Sequence, residues 1–316
     1  MTLALILLLL ALLLALLLYL PIALDRRRKP MDATARRDAP GDFVRLSQGV
    51  THFQWVMPEA NPTKAPVAVL VHGFSTPLST WDHLAPELAR MGYRVLMYDL
   101  YGRGYSDRVD GPEGRDFFLT QLNDLLNDQG ITRPFTLVGY SMGGAIAAAF
   151  AARWPERLDQ LVLLAPAGMG AFPQGMLKRS RDSHLPSDWL MLALYPGVHK
   201  GAAKALKLMD GTCAHAAQDH RDQLNYAGYM QSLLASLRGI LRDEMRPEHS
   251  QLQRTNLPVL AVWGGSDIVI PLECMGTLAH WNRSVVHVEV PGASHWLPLT
   301  HASEVAQAIR DFDEAL

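Results

Sequence analysis

The tightest restriction on the fold comes from residues 135–145, where an apolar run leads into Gly-Tyr-Ser-Met-Gly and an alanine-rich stretch follows at once. A strand-to-helix turn this short strains the backbone of Ser141 and exposes its hydroxyl at the carboxyl edge of a sheet. Side chains larger than glycine at Gly139 and Gly143 would collide with the neighbouring strand and helix. The start of the helix adds free N–H groups and a dipole that favour a developing negative charge. The pattern therefore predicts a strand, a nucleophilic Ser141 and a helix in direct succession.

Short apolar runs alternate with helical patterns along most of the chain. The run at 66–71 is apolar on both faces, which fits a central parallel strand covered from both sides. Such alternation predicts an α/β fold with a mostly parallel central sheet, right-handed crossovers and flanking helices. The expected strands lie at 43–46, 51–57, 66–71, 93–98, 135–138, 161–164, 258–263 and 285–290, the first two as a hairpin. The expected helices lie at 81–91, 117–128, 145–153, 272–281 and 303–315.

The alternation stops after Pro166 and resumes only at Pro258. The intervening residues are helical or irregular in pattern, and within them 224–241 is amphipathic with a stripe of Met and Leu. An insertion after the carboxyl end of a strand lies over the active edge of such a sheet. We therefore expect a helical lid; an insertion with a purely structural role is the alternative.

The N-terminal stretch from Thr2 to Leu24 carries no charge and consists mostly of leucine. An apolar run of this length can cross a bilayer as a helix. A cleaved signal peptide is the alternative. However, no basic region precedes the run, the run is longer than the apolar core of a usual signal peptide, and no small-x-small cleavage site follows it directly. The sequence predicts a retained single-pass anchor.

A basic cluster at 26–29 flanks the carboxyl end of this apolar run. By the positive-inside rule, the flank and the domain behind it are expected on the cytoplasmic side. A domain exported across the membrane is the alternative. The predicted organisation is a transmembrane anchor at 1–24, a basic and polar linker at 25–41, a first core part at 42–168, a helical lid at 169–255 and a second core part at 256–316.

Charge and cysteine content exclude several classes of protein. The formal net charge is -2 and no basic stripe runs through the body of the chain, so we expect no nucleic-acid partner. Cys213 and Cys274 do not make a disulfide framework, and unpaired thiols are expected. No Cys/His cluster has zinc-ligand spacing, so no metal and no cofactor are predicted. The apolar run at 3–20 lacks the Gly-x-x-x-Gly motif by which many transmembrane helices dimerise. The sequence therefore leaves the oligomeric state open.

A serine nucleophile needs a base, and position selects one among the 12 histidines. His287 lies inside the last expected strand, and His301 lies near the start of the last helix. His295 follows the last strand, in a loop at its carboxyl end. We therefore predict His295 as the base, and the other histidines as surface or structural residues.

The base needs an orienting acid at the end of a neighbouring strand. Asp267 follows the strand at 258–263 and fits this position. Asp99 also follows a strand, but it opens a glycine-rich loop in which Asp99 and Asp107 are expected to accept backbone N–H bonds. Asp267 is thus the predicted acid, and the order along the chain is nucleophile, acid, base.

Two N–H donors should hold the oxyanion that forms when the serine attacks a carbonyl. One is expected from Met142, directly after the nucleophile. The second is expected from the loop after the strand at 66–71, where Gly73 allows close approach and Phe74 supplies the N–H. His72, in the same loop, is expected to brace it rather than to act as the base.

Five motifs carry a resemblance to a known superfamily. They are His72-Gly73-Phe74, Asp99-x-x-Gly102-x-Gly104-x-Ser106, the Gly-x-Ser-x-Gly turn at 139–143, Gly265-Ser266-Asp267 and Gly292-Ala293-Ser294-His295. Together they resemble the α/β-hydrolase superfamily over about 43–316, and the order of the three predicted catalytic residues matches it. The N-terminal anchor, the Ser-Met-Gly-Gly turn and Leu-Ala-Pro-Ala-Gly at 164–168 resemble membrane-anchored monoacylglycerol lipases and bacterial phospholipases of that superfamily.

The resemblance implies a membrane-anchored carboxylic ester hydrolase. Its expected substrates are lipid or small-molecule esters such as monoacylglycerol, lysophospholipid or phospholipid, cleaved through an acyl-enzyme. Two alternatives stay open: a hydrolase of C–C bonds in aromatic ring-cleavage products, which would use the same triad, and a non-catalytic ligand-binding homologue. Epoxide hydrolases and dehalogenases of this fold carry aspartate at the nucleophile position, so Ser141 counts against both.

Overall fold

Eight strands form a single sheet in the computed structural model, which describes residues 2–60, 62–183 and 187–316. Residue 1 of the predicted anchor, residue 61 of the first core part and residues 184–186 of the predicted lid lie outside the described residues. The strands are β1 (Asp42–Arg45), β2 (Val50–Val56), β3 (Val67–Val71), β4 (Arg94–Tyr98), β5 (Phe135–Tyr140), β6 (Leu158–Leu164), β7 (Val259–Gly264) and β8 (Val286–Val290).

The sheet has the order β1-β2-β4-β3-β5-β6-β7-β8. The β1–β2 hairpin and the β2–β4 pair are antiparallel, and every pair from β4 to β8 is parallel. All six residues of β5 and all six of β7 are buried. This agrees with the prediction that central strands, covered on both faces, have continuous apolar sequences.

Helices cover both faces of the sheet. The α-helices of the described residues are α1 (Thr2–Arg26), α2 (Leu84–Arg90), α3 (Arg115–Asp128), α4 (Met142–Arg153), α5 (Gly175–Asp182), α6 (Ser187–Met209), α7 (Ala214–Asp222), α8 (Tyr229–Arg238), α9 (Arg246–Leu252), α10 (Glu273–Trp281), α11 (Leu297–Thr300) and α12 (Ala302–Ala315). One layer contains α3, α4, α9 and α10, and the other contains α2 and α12. The α/β fold with a mostly parallel sheet, predicted from the alternating pattern, is confirmed.

The chain between β6 and β7, which we term the β6–β7 segment, contains helices α5 to α9. Helix α8 buries Met230, Leu233 and Leu237, the stripe that the amphipathic pattern predicted, against the core. Helix α6 packs on α7, and α7 contacts a short 3-10 helix at Leu78–Trp81 beside the sheet. Cys213, in this segment, and Cys274 are both buried free thiols.

Helix α1 is apolar, and no residue in its most apolar 18-residue window is buried within the protein. Its carboxyl end is not isolated from the β6–β7 segment. Gln231 hydrogen-bonds to Asp25, and the backbone of Lys29 pairs with Asn225 and Ala227. The orientation of α1 is therefore fixed relative to the helices between β6 and β7.

Candidate active site

Ser141 lies at the junction of β5 and α4, in the strained conformation that the turn requires. Its backbone has φ 53° and ψ −117°, which is unusual for a residue with a side chain. Strain of this kind costs about 1–3 kcal/mol and persists only where the surroundings impose it. Neighbouring backbone atoms pack closely around this turn. A Cβ at Gly139 would lie 2.4 Å from the Gly143 carbonyl oxygen, and a Cβ at Gly143 would lie 2.0 Å from the Val71 carbonyl oxygen. These distances explain why both positions require glycine, as the sequence predicted.

The Gly143→Ala substitution is expected to destabilise the protein by several kcal/mol, because its Cβ would collide with the backbone of β3. Gly276→Ala is the matched control: it is also a helical glycine, and no atom lies within 4 Å of the Cβ it would gain. That change should be neutral or stabilise by up to about 1 kcal/mol. Thermal unfolding followed by circular dichroism measures both, and equal melting temperatures for the two variants would contradict the packing described for the turn.

The structure brings the three predicted catalytic residues into one hydrogen-bonded chain. His295 Nε2 lies 3.0 Å from Ser141 Oγ, and His295 Nδ1 lies 2.7 Å from Asp267 Oδ2. The second oxygen of Asp267 accepts the N–H groups of Val269 and Ile270, at 2.7 Å and 2.9 Å. A carboxylate held in this way fixes the imidazole with Nδ1 protonated and leaves Nε2 free to accept the serine proton.

Tyr140 adds a contact that the sequence analysis did not identify. Its hydroxyl donates to the backbone carbonyl of His295 at 2.6 Å, and the two rings lie 5.1 Å apart. Burial raises the pKa of Tyr140 well above its ordinary value, with a further contribution from Asp267. The phenol therefore stays protonated and ties the turn that carries Ser141 to the loop that carries His295.

The loop after β3 lies beside Ser141, as the sequence predicted. Gly73 and Phe74 line the same pocket as Ser141 and His295. His72 is fully buried: its Nε2 accepts the Leu100 N–H at 2.9 Å, and its Nδ1 lies 3.0 Å from the Gly73 carbonyl. Burial lowers the pKa of His72 to about 4, so its ring is neutral near pH 7. The expectation that His72 braces this loop is confirmed.

Asp99 has the structural role expected for it. Its carboxylate accepts the N–H groups of Leu78 and Tyr105, at 2.7 Å and 2.9 Å, and contacts His52 Nδ1 at 2.6 Å. Asp107 likewise accepts the Val50 N–H at 2.7 Å. These contacts hold the loop after β4 in place, away from the chain of Ser141, His295 and Asp267.

A buried ion pair links the loop after β3 to helix α8. Arg103 and Glu113 are 0% and 1% exposed at their side chains, and Arg103 Nη1 lies 2.7 Å from Glu113. Arg103 Nε donates to the Phe74 carbonyl at 2.9 Å, and both Ser232 and Ser236 of α8 bond to the pair. No local sequence signal pointed to this network. It fixes the backbone of Phe74 through side chains distant in the sequence.

The pocket around Ser141 has a volume of about 220 Å³. Side chains from the loop after β3, from the β6–β7 segment and from the loops that carry Asp267 and His295 line it. Most of its wall is apolar or aromatic, and the side chains concerned are Phe74, Tyr140, Phe172, Leu177, Tyr195, Val198, Ala202, Val269 and Trp296. Among the described residues that line it there is no Asp, Glu, Lys or Arg.

The fold and the arrangement of Ser141, His295 and Asp267 are those of a serine hydrolase of the α/β-hydrolase superfamily. The family model described as serine aminopeptidase, S33 (Hydrolase_4) matches residues 62–280. The chain belongs to this family.

Relatives with several different named activities resemble the chain. A 2-hydroxymuconate semialdehyde hydrolase of Pseudomonas sp. (strain CF600) is 29% identical over 259 residues, covering 77% of this chain and 85% of the relative. Epoxide hydrolase 3 of Xenopus tropicalis is 24% identical over 302 residues, covering 91% and 81%. A solved structure of a membrane phospholipase A, described as a bacterial virulence factor, matches with a TM-score of 0.69 at 21% identity and covers 99% of this chain and 98% of its own. The structural match shows a shared fold.

Proposed function

We propose that the protein is a membrane-anchored serine esterase that cleaves lipid esters. The observation that carries the proposal is the hydrogen-bonded chain from Ser141 through His295 to Asp267 beside an apolar pocket. In this proposal Ser141 is the nucleophile, His295 the general base and Asp267 the orienting acid. The N–H groups of Phe74 and Met142 form the oxyanion hole.

The reaction proceeds in two steps. His295 Nε2 takes the proton of Ser141 as Oγ attacks the ester carbonyl carbon, and the two N–H groups stabilise the oxyanion. His295 then gives the proton to the departing alcohol, which leaves an acyl group on Ser141. Water, activated by the same imidazole, attacks the acyl carbon and releases the acid.

The absence of charged side chains among the described pocket residues favours an uncharged substrate. An aminopeptidase needs an anionic group to bind the free amine of its substrate, and the lining offers none. The substrate named for the 2-hydroxymuconate semialdehyde hydrolase is a carboxylate, for which a basic side chain is the usual partner. An ester of a long-chain acid instead places apolar carbon against apolar walls, which is favourable by about 25 cal/mol per Å² buried.

Helix α1 supports a location at the bilayer. Its window Leu3–Arg26 has a mean hydropathy of 3.2, sufficient for a membrane span. Trp189 of α6 donates to the Leu18 carbonyl at 2.9 Å, which places its indole about 10 Å from Asp25 along α1. Tryptophan is enriched at the membrane interface. The match to a membrane phospholipase A over nearly the whole chain, α1 included, agrees with this location.

The β6–β7 segment is proposed to act as a lid that faces the bilayer. Leu194 and Val198 of α6 are 53% and 58% exposed, and Val198 also lines the pocket. An exposed apolar helix beside α1 gives lipid chains a path from the bilayer into the pocket. By the positive-inside rule, the basic cluster at 26–29 supports a cytoplasmic location for the catalytic domain in this proposal.

A truncated variant tests the membrane anchor and the esterase activity separately. The full-length protein should sediment with membranes, resist carbonate extraction and hydrolyse p-nitrophenyl butyrate. A variant that lacks residues 2–24 should be found in the soluble fraction and still hydrolyse this ester, because none of the described residues of α1 lines the pocket. Full-length protein in the soluble fraction would contradict the anchor, whereas no ester hydrolysis by either protein would contradict the esterase.

A further inference from the structure

Two histidines of the β6–β7 segment lie stacked on the wall of the pocket. His199 of α6 and His220 of α7 are 1% and 2% exposed, and their ring centroids are 3.7 Å apart with an interplanar angle of 25°. Both line the same pocket as Ser141 and His295. Neither has a part in the chain of hydrogen bonds that ends at Asp267.

The ring nitrogens of this pair are largely without partners. His199 Nε2 donates to the His220 backbone carbonyl at 2.6 Å, which leaves His199 Nδ1 as an acceptor. Among the described residues, neither this atom nor either ring nitrogen of His220 has a hydrogen-bond partner. The Ser75 carbonyl accepts the Tyr229 hydroxyl at 2.8 Å and also lies near the His220 ring, where it opposes the fall in the pKa of His220. The pair therefore presents two acceptors and one donor inside an otherwise apolar pocket.

Both rings are neutral near pH 7. Burial lowers the pKa of His199 to about 4, and burial together with the neighbouring His199 lowers the pKa of His220 well below its ordinary value. A neutral imidazole pair cannot balance a carboxylate or an ammonium ion. It is complementary to a hydroxyl group, which both donates and accepts.

The position of the pair indicates which part of an ester it contacts. His295 protonates the departing alcohol, so the alcohol part lies on the His295 side of the pocket. Trp296 follows His295 directly, and its indole packs edge-on against His220, with ring centroids 5.4 Å apart. The stacked pair thus borders the space of the leaving alcohol.

We propose that His199 and His220 form a subsite that binds a free hydroxyl group on the alcohol part of the ester. This subsite rests on the proposed esterase function. It narrows the substrates to lipid esters of polyhydric alcohols such as glycerol. Unpaired polar groups buried in a protein are destabilising, and a bound hydroxyl would relieve that cost.

The test compares two esters of one acid, 1-monolauroylglycerol and propyl laurate, which differ only in the hydroxyls of the alcohol. His220→Phe preserves the stacked ring and removes the nitrogens. It should lower kcat/KM for the glycerol ester by roughly tenfold to a hundredfold and leave the propyl ester within about twofold. His249→Phe is the control: His249 is equally buried and unpartnered, but it does not line the pocket, so both values should stay unchanged.

Equal losses on both esters, or no loss on either, would overturn the subsite. A second readout needs no turnover: 1-O-dodecylglycerol, an ether, should protect Ser141 from a fluorophosphonate probe at lower concentration than dodecyl propyl ether, which lacks only the hydroxyls, and His220→Phe should abolish the difference. Equal protection by the two ethers in the wild type would overturn the subsite and leave the esterase standing. Failure of the probe to label Ser141 would contradict the esterase and, with it, the subsite.

Discussion

The Ser141→Ala substitution is expected to lower kcat for ester hydrolysis by roughly 10⁴- to 10⁶-fold. The hydroxyl at the junction of β5 and α4 lies 3.0 Å from His295 Nε2, and in the part of the chain that the structure describes no other nucleophile hydrogen-bonds to this atom. Removing Oγ eliminates the acyl-enzyme, and only the oxyanion hole and substrate binding would still accelerate hydrolysis. Initial rates with p-nitrophenyl butyrate measure the effect.

Ser303→Ala is a suitable control for this change, because Ser303 is an exposed serine at the start of α12, away from the pocket. It should retain wild-type kcat, and both variants should retain the circular dichroism spectrum of the parent. Ester hydrolysis at a near-native rate by Ser141→Ala would contradict the assignment of the nucleophile.

The Arg103→Met substitution is expected to destabilise the fold by about 3–5 kcal/mol. It leaves the carboxylate of Glu113 buried without its cationic partner, and breaking one side of a buried ion pair has a cost of this size. The substitution also removes the donor to the Phe74 carbonyl, so kcat should fall as the loop after β3 loosens. Urea unfolding and ester hydrolysis measure the two effects separately.

The double variant Arg103→Met/Glu113→Leu distinguishes these contributions. Replacing both charged groups removes the uncompensated charge, so most of the lost stability should return. Activity should remain low, because the Phe74 carbonyl still lacks its partner. If the double variant is as unstable as Arg103→Met, the ion pair is not the source of the loss; if it regains full activity, Arg103 does not position this loop.

Local sequence patterns were sufficient to predict the elements that hold Ser141, His295 and Asp267. Strand β5 is apolar throughout, and the glycines around Ser141 have a steric reason that applies to any such turn. Helix α4 starts at Met142, three residues earlier than predicted. The glycines at 143 and 144 are poor helix formers in isolation, and close packing against Val71 and Pro166 determines the start of the helix instead.

The contacts that complete the site were not predictable from local patterns. Arg103 bonds to Ser232 across 129 positions, and His199 stacks on a ring of another helix. In sequence, a buried histidine in an amphipathic helix is indistinguishable from one at the surface. The helix predicted at 81–91 begins only at Leu84. Trp81 instead ends a 3-10 turn that contacts α7, a helix distant in the sequence.

The most direct test of the proposed function is a comparison of substrates on the purified full-length protein in detergent micelles. Initial rates are measured for a long-chain 1-monoacylglycerol and for a 2-hydroxy-6-oxodienoate. The second compound belongs to the substrate class that appears in the names of related hydrolases. A serine esterase with an apolar, uncharged pocket should release fatty acid from the ester and leave the dienoate unchanged. Cleavage of the dienoate without hydrolysis of the ester would contradict it.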